Sequence, residues 1–234
     1  MGITQHAHGV DNVYAIINLA LSRGMVGKPG AGLLPIRGHS NVQGVGSVGV
    51  APALKAAFAE RLQEIYGIRM PESPGLIDAA LLLGGNLFAA TPDRPWTARA
   101  LQNIGTTIYV TTKLNEGHIH GRGRTCLILP VLARDEERQC TTQESMFNFV
   151  RLSDGGQAAA SEEMRSEVET IATLAGLVLP RGPVDFAALK DHTALRAAIA
   201  KVVPGYERLA EIDRRREEFQ IDGRILHTPR FATP

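Results

Sequence analysis

The sequence predicts an α/β fold: a Rossmann-like, mostly parallel sheet with flanking helices and a helical C-terminal part. Three observations carry this. Short apolar runs at Ile77–Leu83, Thr107–Val110 and Cys126–Leu129 alternate with segments of helical periodicity, the pattern of βαβ units. Polar or glycine-rich residues follow two of the runs, and Pro130 stops the third. Aromatic residues make up only 5% of the 234 residues, so the core is built from Leu, Ile, Val and Ala, which suits an Ala-rich α/β protein better than a β-sandwich.

Each element has a local reason. Asp11 to Arg23 reads as a helix, with Val13, Ile16, Ile17, Ala20 and Leu21 at helical spacing, Asp11 or Asn12 as cap, and Gly24 as stop. A second helix is expected from Ala51 to Tyr66, with Pro52 in its first turn and Gly67 past its end. The run at residues 77–83 is apolar without alternation, so it reads as a buried strand. Thr97 to Asn103 reads as a short helix. The stretch from Ala133 to Gly156 reads as polar loop. Ser161 to Leu179 reads as a helix with an apolar stripe of Val168, Ile171, Ala172, Leu174 and Ala175. Two charged helices, near 186–202 and 206–219, complete the chain, and residues 225–234 read as extended.

Composition excludes several function classes. The net charge is +1 and charged residues are 21%, so bulk electrostatics favour neither nucleic acid nor an anionic membrane. No apolar run approaches the ~20 residues of a membrane helix. The N-terminus carries no signal peptide, which predicts a cytoplasmic protein. The two cysteines, Cys126 and Cys140, form no Cys-x-x-Cys pair, so no cysteine-ligated zinc or iron–sulfur centre is expected in this chain. Cys126 reads as a buried small hydrophobe. The pairs His6/His8 and His118/His120 lack a third ligand at helpful spacing, and no metal site is assigned to them.

The stretch from Gly27 to Gly49 carries the most information. Glycines recur every few residues, with Arg37, His39, Ser40, Asn41 and Gln43 between them. Glycine permits close approach of the backbone to a ligand, and the interleaved side chains supply hydrogen bonds. The stretch reads as a loop wrapping a large, polar, anionic ligand. Arg37 offers a permanent cation, and His39 a group that exchanges protons near neutral pH, which makes these two the candidates for a reaction centre. At the predicted strand ends, the backbone of Gly84 and Gly85 suits a phosphate, Asn86 suits a base or ribose, and Thr111 and Thr112 follow the second strand. In open α/β sheets, ligands bind outside the carboxyl ends of strands. No serine-nucleophile, P-loop or paired-carboxylate signature is present.

The motifs Met-Gly-Ile-Thr-Gln-His-Ala-His-Gly-Val-Asp-Asn-Val, Gly-Lys-Pro-Gly-Ala-Gly and Pro-Ile-Arg-Gly-His-Ser-Asn-Val-Gln-Gly open the chain. Leu-Leu-Leu-Gly-Gly-Asn-Leu-Phe, Leu-Ile-Leu-Pro, Thr-Gln-Glu-Ser-Met-Phe-Asn and Arg-Ser-Glu-Val-Glu-Thr-Ile-Ala follow in order. Together they resemble the molybdopterin oxidoreductases of the dimethyl sulfoxide reductase superfamily, in particular the formate-dehydrogenase-like alpha subunits. The resemblance implies a bis-molybdopterin guanine dinucleotide cofactor with molybdenum, and a two-electron reaction of a small substrate such as formate. It implies that Met1 and Gln5 lie on a pterin–nucleotide loop, and that Asn86, Thr111 and Thr112 lie near a guanosine. It also places Glu167 near the nucleotide and Arg37 beside the metal, and His39 stands where these enzymes carry a glutamine.

Family chains are several times longer. The chain therefore reads as a central fragment, inactive alone, whose missing domains supply the metal ligand, an iron–sulfur cluster where present, and a C-terminal barrel. Residues 1–180 are expected to form the cofactor-binding α/β domain, and 181–234 a helical extension. The family has a further helical segment between Leu76 and Ile77, so either a deletion or missing residues are expected there. Two other readings compete: a stand-alone guanine-nucleotide-binding module, and a structural or interaction domain without catalysis.

Overall fold

The computed structural model describes residues 2–36, 38–39, 41–50, 54–68 and 77–222. Met1, Arg37, Ser40, the Pro52 turn, the Leu76–Ile77 junction and the C-terminal stretch 225–234 thus lie outside the described residues or reach beyond them. The chain divides into two compact units.

One unit comprises residues 1–55, 142–152 and 199–234. It opens with a 3-10 turn, Gly2–Gln5, and helix α1, Gly9–Ser22. The helix begins two residues before Asp11: its cap is His8, whose Nδ1 meets the Asp11 carboxylate at 3.2 Å. Gly24 ends it as expected, with φ +62° and its N–H donated to Leu21 O, a left-handed stop that glycine adopts without strain. The glycine-rich stretch is not one continuous loop, because helix α2, Val42–Ser47, forms inside it.

Helix α3, Ala56–Tyr66, starts later than expected, since Leu54 and Lys55 are not helical. With β1, Ala79–Leu83, it belongs to the second unit, which comprises residues 56–141 and 153–198. There follow α4, Leu87–Ala90; α5, Arg94–Gln102; β2, Thr106–Thr111; α6, Gly117–His120; and β3, Thr125–Pro130. Asp93 caps α5, accepting from Trp96 N at 2.8 Å, with Pro95 in the first turn. The three strands form a parallel sheet in the order β1-β2-β3, with Leu81 opposite Ile108 and Ile108 opposite Leu127. The predicted α/β class and parallel sheet are both present.

Strand β2 is the core of this sheet: Thr107, Tyr109 and Val110 are at most 1% exposed. Strand β1 is not buried as expected. Residues along it alternate, and Leu81 and Leu83 are about half exposed. The period of two turns them to the face opposite Ala80 and Leu82. Cys126 is likewise only half-buried.

The polar stretch after β3 contains structure that its composition hides. Strands β4, Thr141–Glu144, and β5, Phe149–Ser153, join the first unit's sheet. Helix α7, Glu167–Val178, is shorter than expected because Ser166 caps it, its Oγ accepting from Glu169 N at 3.0 Å. Upstream, Arg165 pairs in parallel with Val131 instead of joining the helix. Helix α8, His192–Val202, starts at a side-chain cap, Asp191 Oδ1 accepting from Ala194 N. The last expected helix is broken: a 3-10 turn at Glu207–Glu211 leads into α9, Ile212–Arg215, which Arg216 ends at φ +55°. Phe219 then enters β6, Phe219–Gln220, antiparallel to β5. Tyr206, Leu209, Ile212, Phe219 and Ile221 are at most 4% exposed and form the apolar interior of the first unit.

Candidate functional site

The carboxyl ends of β1, β2 and β3 lie along one edge, because the strands are parallel. The ladder continues one step past β1, with Gly84 N donating to Val110 O at 2.8 Å. The turn after β1 is thereby held beside the turn after β2. Gly84 and Gly85 have φ of +60° and +67°, and a Cβ on either would meet no atom within 4 Å. Two consecutive left-handed residues turn the chain from the strand into α4, and the turn faces open space. Asn86 Oδ1 accepts from Ala89 N at 3.0 Å. Its oxygen is thus occupied by helix capping, while the amide nitrogen remains a donor.

The turn after β2 is built around Thr111, which the sequence singled out for the site, and around Asn115 and His118, which it did not. Thr111 is buried and donates its hydroxyl to Lys113 O at 2.9 Å, whereas Thr112 is exposed. Asn115 Oδ1 accepts from Gly117 N at 2.9 Å, and Asn115 N donates to His118 Nδ1 at 3.0 Å. That bond makes Nδ1 the acceptor and leaves the proton of a neutral His118 on Nε2. The His118 ring stands edge-on to Tyr109, with centroids 4.7 Å apart. A Cβ at Gly117 would lie 2.4 Å from Asn86 Oδ1. Glycine at 117 is therefore what lets the two strand-end turns meet. Beneath them, the Tyr109 hydroxyl donates to Gly121 O. Burial first, and then the neighbouring Cys126, push that hydroxyl above its ordinary pKa, so it stays a donor.

Glu167 comes to the same edge by a separate route. Leu132 N donates to Arg165 O at 3.0 Å, and the Val131–Arg165 bridge extends the sheet beyond β3. Glu167 follows two residues later, in the first turn of α7. Much of its surface is open, yet its carboxyl is raised above the ordinary glutamate value, mainly by desolvation and then by the Glu137 carboxylate. The second carboxylate of this cluster, Glu137, is 8% exposed and stands 3.8 Å from His192 Nε2.

In the first unit, the sequence-selected residues are Gln5, His39, Asn41 and Gln43. Gln5 and His39 are exposed, and Gln43 lies on α2 and is partly buried. Asn41 is the anchor of the glycine-rich stretch. At φ +59° it precedes α2, and its Oδ1 accepts from Glu144 N at 2.9 Å across 103 residues of sequence. Glu144, 2% exposed, accepts from Asn148 Nδ2 at 2.7 Å and from the Tyr206 hydroxyl. The two candidate catalytic residues differ in standing: His39 is described, and Arg37 lies outside the described residues. His118 and His120 sit on one helical turn, His118 buried and His120 exposed, not on one side of an extended segment. Among the described residues, no three His, Cys, Asp or Glu side chains gather as metal ligands, and no helix is long and apolar enough to cross a membrane.

A parallel α/β sheet with open polar turns at its carboxyl edge is an arrangement that receives nucleotide-like ligands. Proteins named as oxidoreductases are among the relatives of this chain. The chain is 38% identical over 253 residues to an uncharacterized oxidoreductase of Mycobacterium tuberculosis, matching 99% of this chain and 32% of the relative. It is 37% identical over 226 residues to protein YdeP of Escherichia coli, covering 88% of this chain and 30% of YdeP. A shorter match, 34% identical over 122 residues, joins 44% of the chain to 18% of the F420-dependent formate dehydrogenase subunit alpha of Methanocaldococcus jannaschii. No family model matches the chain. The chain thus spans about a third of the length of the mycobacterial relative and of YdeP.

Proposed function

We propose that this chain is the cofactor-binding portion of a molybdenum-dependent oxidoreductase that uses a bis-molybdopterin guanine dinucleotide, with formate as the model substrate. The observation that supports this best is the carboxyl-edge site in a chain similar along 99% of its length to an oxidoreductase-named protein. The fit rests on the donors present. Gly84 and Gly85 leave an open turn, Asn86 keeps its amide N–H groups, and Thr112 offers a solvent-exposed hydroxyl. These groups would hold the diphosphate and ribose of a guanosine.

When bound, the metal cofactor supplies the two-electron chemistry, and the protein orients it and sets its electrostatics. Gln5, Asn41 and Gln43 would contact the pterin side, with Asn41 held by its bond to Glu144. Arg37 would attract the substrate carboxylate as a fixed cation. His39, exposed, would carry a proton to or from solvent. Glu167, with its raised carboxyl, would bear on the guanine edge.

The test is the cofactor content of the full-length parent purified from molybdate-supplied cells. Molybdenum by elemental analysis, together with guanosine monophosphate released on acid treatment, is expected in a 1:2 ratio for a bis-dinucleotide cofactor. Protein free of both would refute the reading.

A further inference from the structure

We propose that the cleft between α5 and α6 binds a small organic monocarboxylate with an aromatic or apolar body, and that Arg122 anchors its charge. The cleft lies within the second unit, and the inference does not rest on the cofactor reading. Helix α5 leads into β2 and α6 precedes β3. Right-handed crossovers between parallel neighbours put both helices on the same face of the sheet. Gln102, the last residue of α5, stands four residues before β2, and Arg122 stands three residues before β3. The cleft therefore reaches toward the amino ends of the strands, away from the Gly84–Gly85 turn.

One wall is a single stripe of α5. Arg94, Pro95, Ala98 and Gln102 line the cleft at positions i, i+1, i+4 and i+8, and eight residues at the helical rise make the stripe about 12 Å long. The other wall forms around Gly121. A Cβ there would lie 2.7 Å from Phe88 Cβ, so glycine lets the chain cross directly over Phe88 and brings Arg122 into the cleft beside Ile119 and His120. The space between the walls is about 470 Å³, a size that suits a small organic ligand.

The lining sets the ligand's chemistry. Phe88, 8% exposed, is an aromatic floor, with the His120 ring 5.6 Å and the Arg94 guanidinium 6.0 Å from its centroid. The charge of Arg94 is matched by Glu116 at 3.2 Å. Arg122 is exposed and has no hydrogen-bond or ion-pair partner among the described residues, and no carboxylate is among the residues lining the cleft. One unmatched guanidinium calls for one negative charge, and its planar fork fits a carboxylate through two parallel bonds. Pro95, Ala98 and Ile119 offer only apolar surface, which a bare inorganic anion would leave uncovered. An aromatic body also gains ring contact with Phe88 and His120.

Calorimetric titration of the full-length protein with 3-phenylpropionate tests the assignment, with 3-phenylpropionamide and acetate as controls. The amide lacks the charge and acetate lacks the apolar body. Each is expected to bind at least about tenfold more weakly than 3-phenylpropionate, in line with a charge-assisted contact and with the burial of a ring. Arg122→Gln is expected to weaken 3-phenylpropionate about tenfold, to the level of the amide, and to leave the amide unchanged. Ile119→Glu, a second variant at an exposed position, puts a carboxylate in the cleft and is expected to weaken the acid by at least as much. Melting temperatures equal to wild type verify the fold of both. Undiminished binding of 3-phenylpropionate by the two variants would overturn the site, since binding would then lie elsewhere on the protein. No saturable binding by the wild type in the millimolar range would overturn it as well.

Discussion

Replacing Asn41 separates two contributions that hold the glycine-rich stretch. Asn41→Gly removes the acceptor for Glu144 N, a bond of 2.9 Å at a part-buried site. A lost hydrogen bond that leaves a donor unpaired costs about 1–3 kcal/mol. Glycine accepts φ +59° without strain, so the Gly variant reports the bond. Asn41→Ala loses the same bond and adds the left-handed penalty of a Cβ, roughly 1–2 kcal/mol. The expected order of stability is wild type, then Gly, then Ala, with Ala about 1 kcal/mol or more below Gly. Amide exchange of Glu144, followed by NMR, reads the effect locally. A loss of one to two kcal/mol speeds exchange by roughly 5–30-fold. Unchanged exchange in Asn41→Gly would refute the anchoring bond. Equal effects of Gly and Ala would refute the left-handed backbone at 41.

Other perturbations follow from the second unit. Gly117→Ala places a Cβ 2.4 Å from Asn86 Oδ1 and 2.9 Å from Asn115 Oδ1; separating the two turns should cost about 1–3 kcal/mol in urea unfolding, and an unchanged midpoint would show that they do not meet. Tyr109→Phe removes the buried donor to Gly121 O and should cost about 1–2 kcal/mol, measured the same way. Glu167 has a carboxyl raised by desolvation and by Glu137, so the folded state keeps its proton to higher pH than the unfolded chain. Its contribution is fully present below the ordinary glutamate value and is lost as pH rises through the raised one. Glu167→Gln should therefore gain melting temperature relative to wild type as pH rises through that window, and a constant difference across pH would contradict the shift.

Much of this fold is legible in local patterns, and the exceptions have physical causes. Strands β1 to β3 are apolar runs bounded by turn residues, and their parallel order follows from the intervening helices. Gly24 and Gly67 announce helix ends through their positive φ. Strands β4 and β5 escape such a reading because Thr-Thr-Gln-Glu looks like loop until Glu144 finds Asn148 and Tyr206. Helix α7 starts late because Ser166 competes for the backbone as a cap, and Arg165 is drawn to Val131.

The site divides the same way. Gly84, Gly85, Asn86, Thr111 and Thr112 are readable as strand-end residues, and the structure gathers them on one edge. Asn115 and Gly117 are not readable, because their roles arise only when the turn after β2 meets Asn86, and His118, noticed only as half of the pair His118/His120, gains its place from packing on Tyr109. Asn41 was chosen for its position between glycines, and its bond to Glu144 depends on a partner 103 residues away.

The most direct test of the carboxyl-edge site is a titration of the isotope-labelled chain with guanosine diphosphate, followed by backbone amide chemical shifts. Saturable shifts centred on Gly84–Asn86 and Thr111–Lys113 are the predicted result. Shifts confined to other segments, or none at ligand concentrations in the millimolar range, would contradict it.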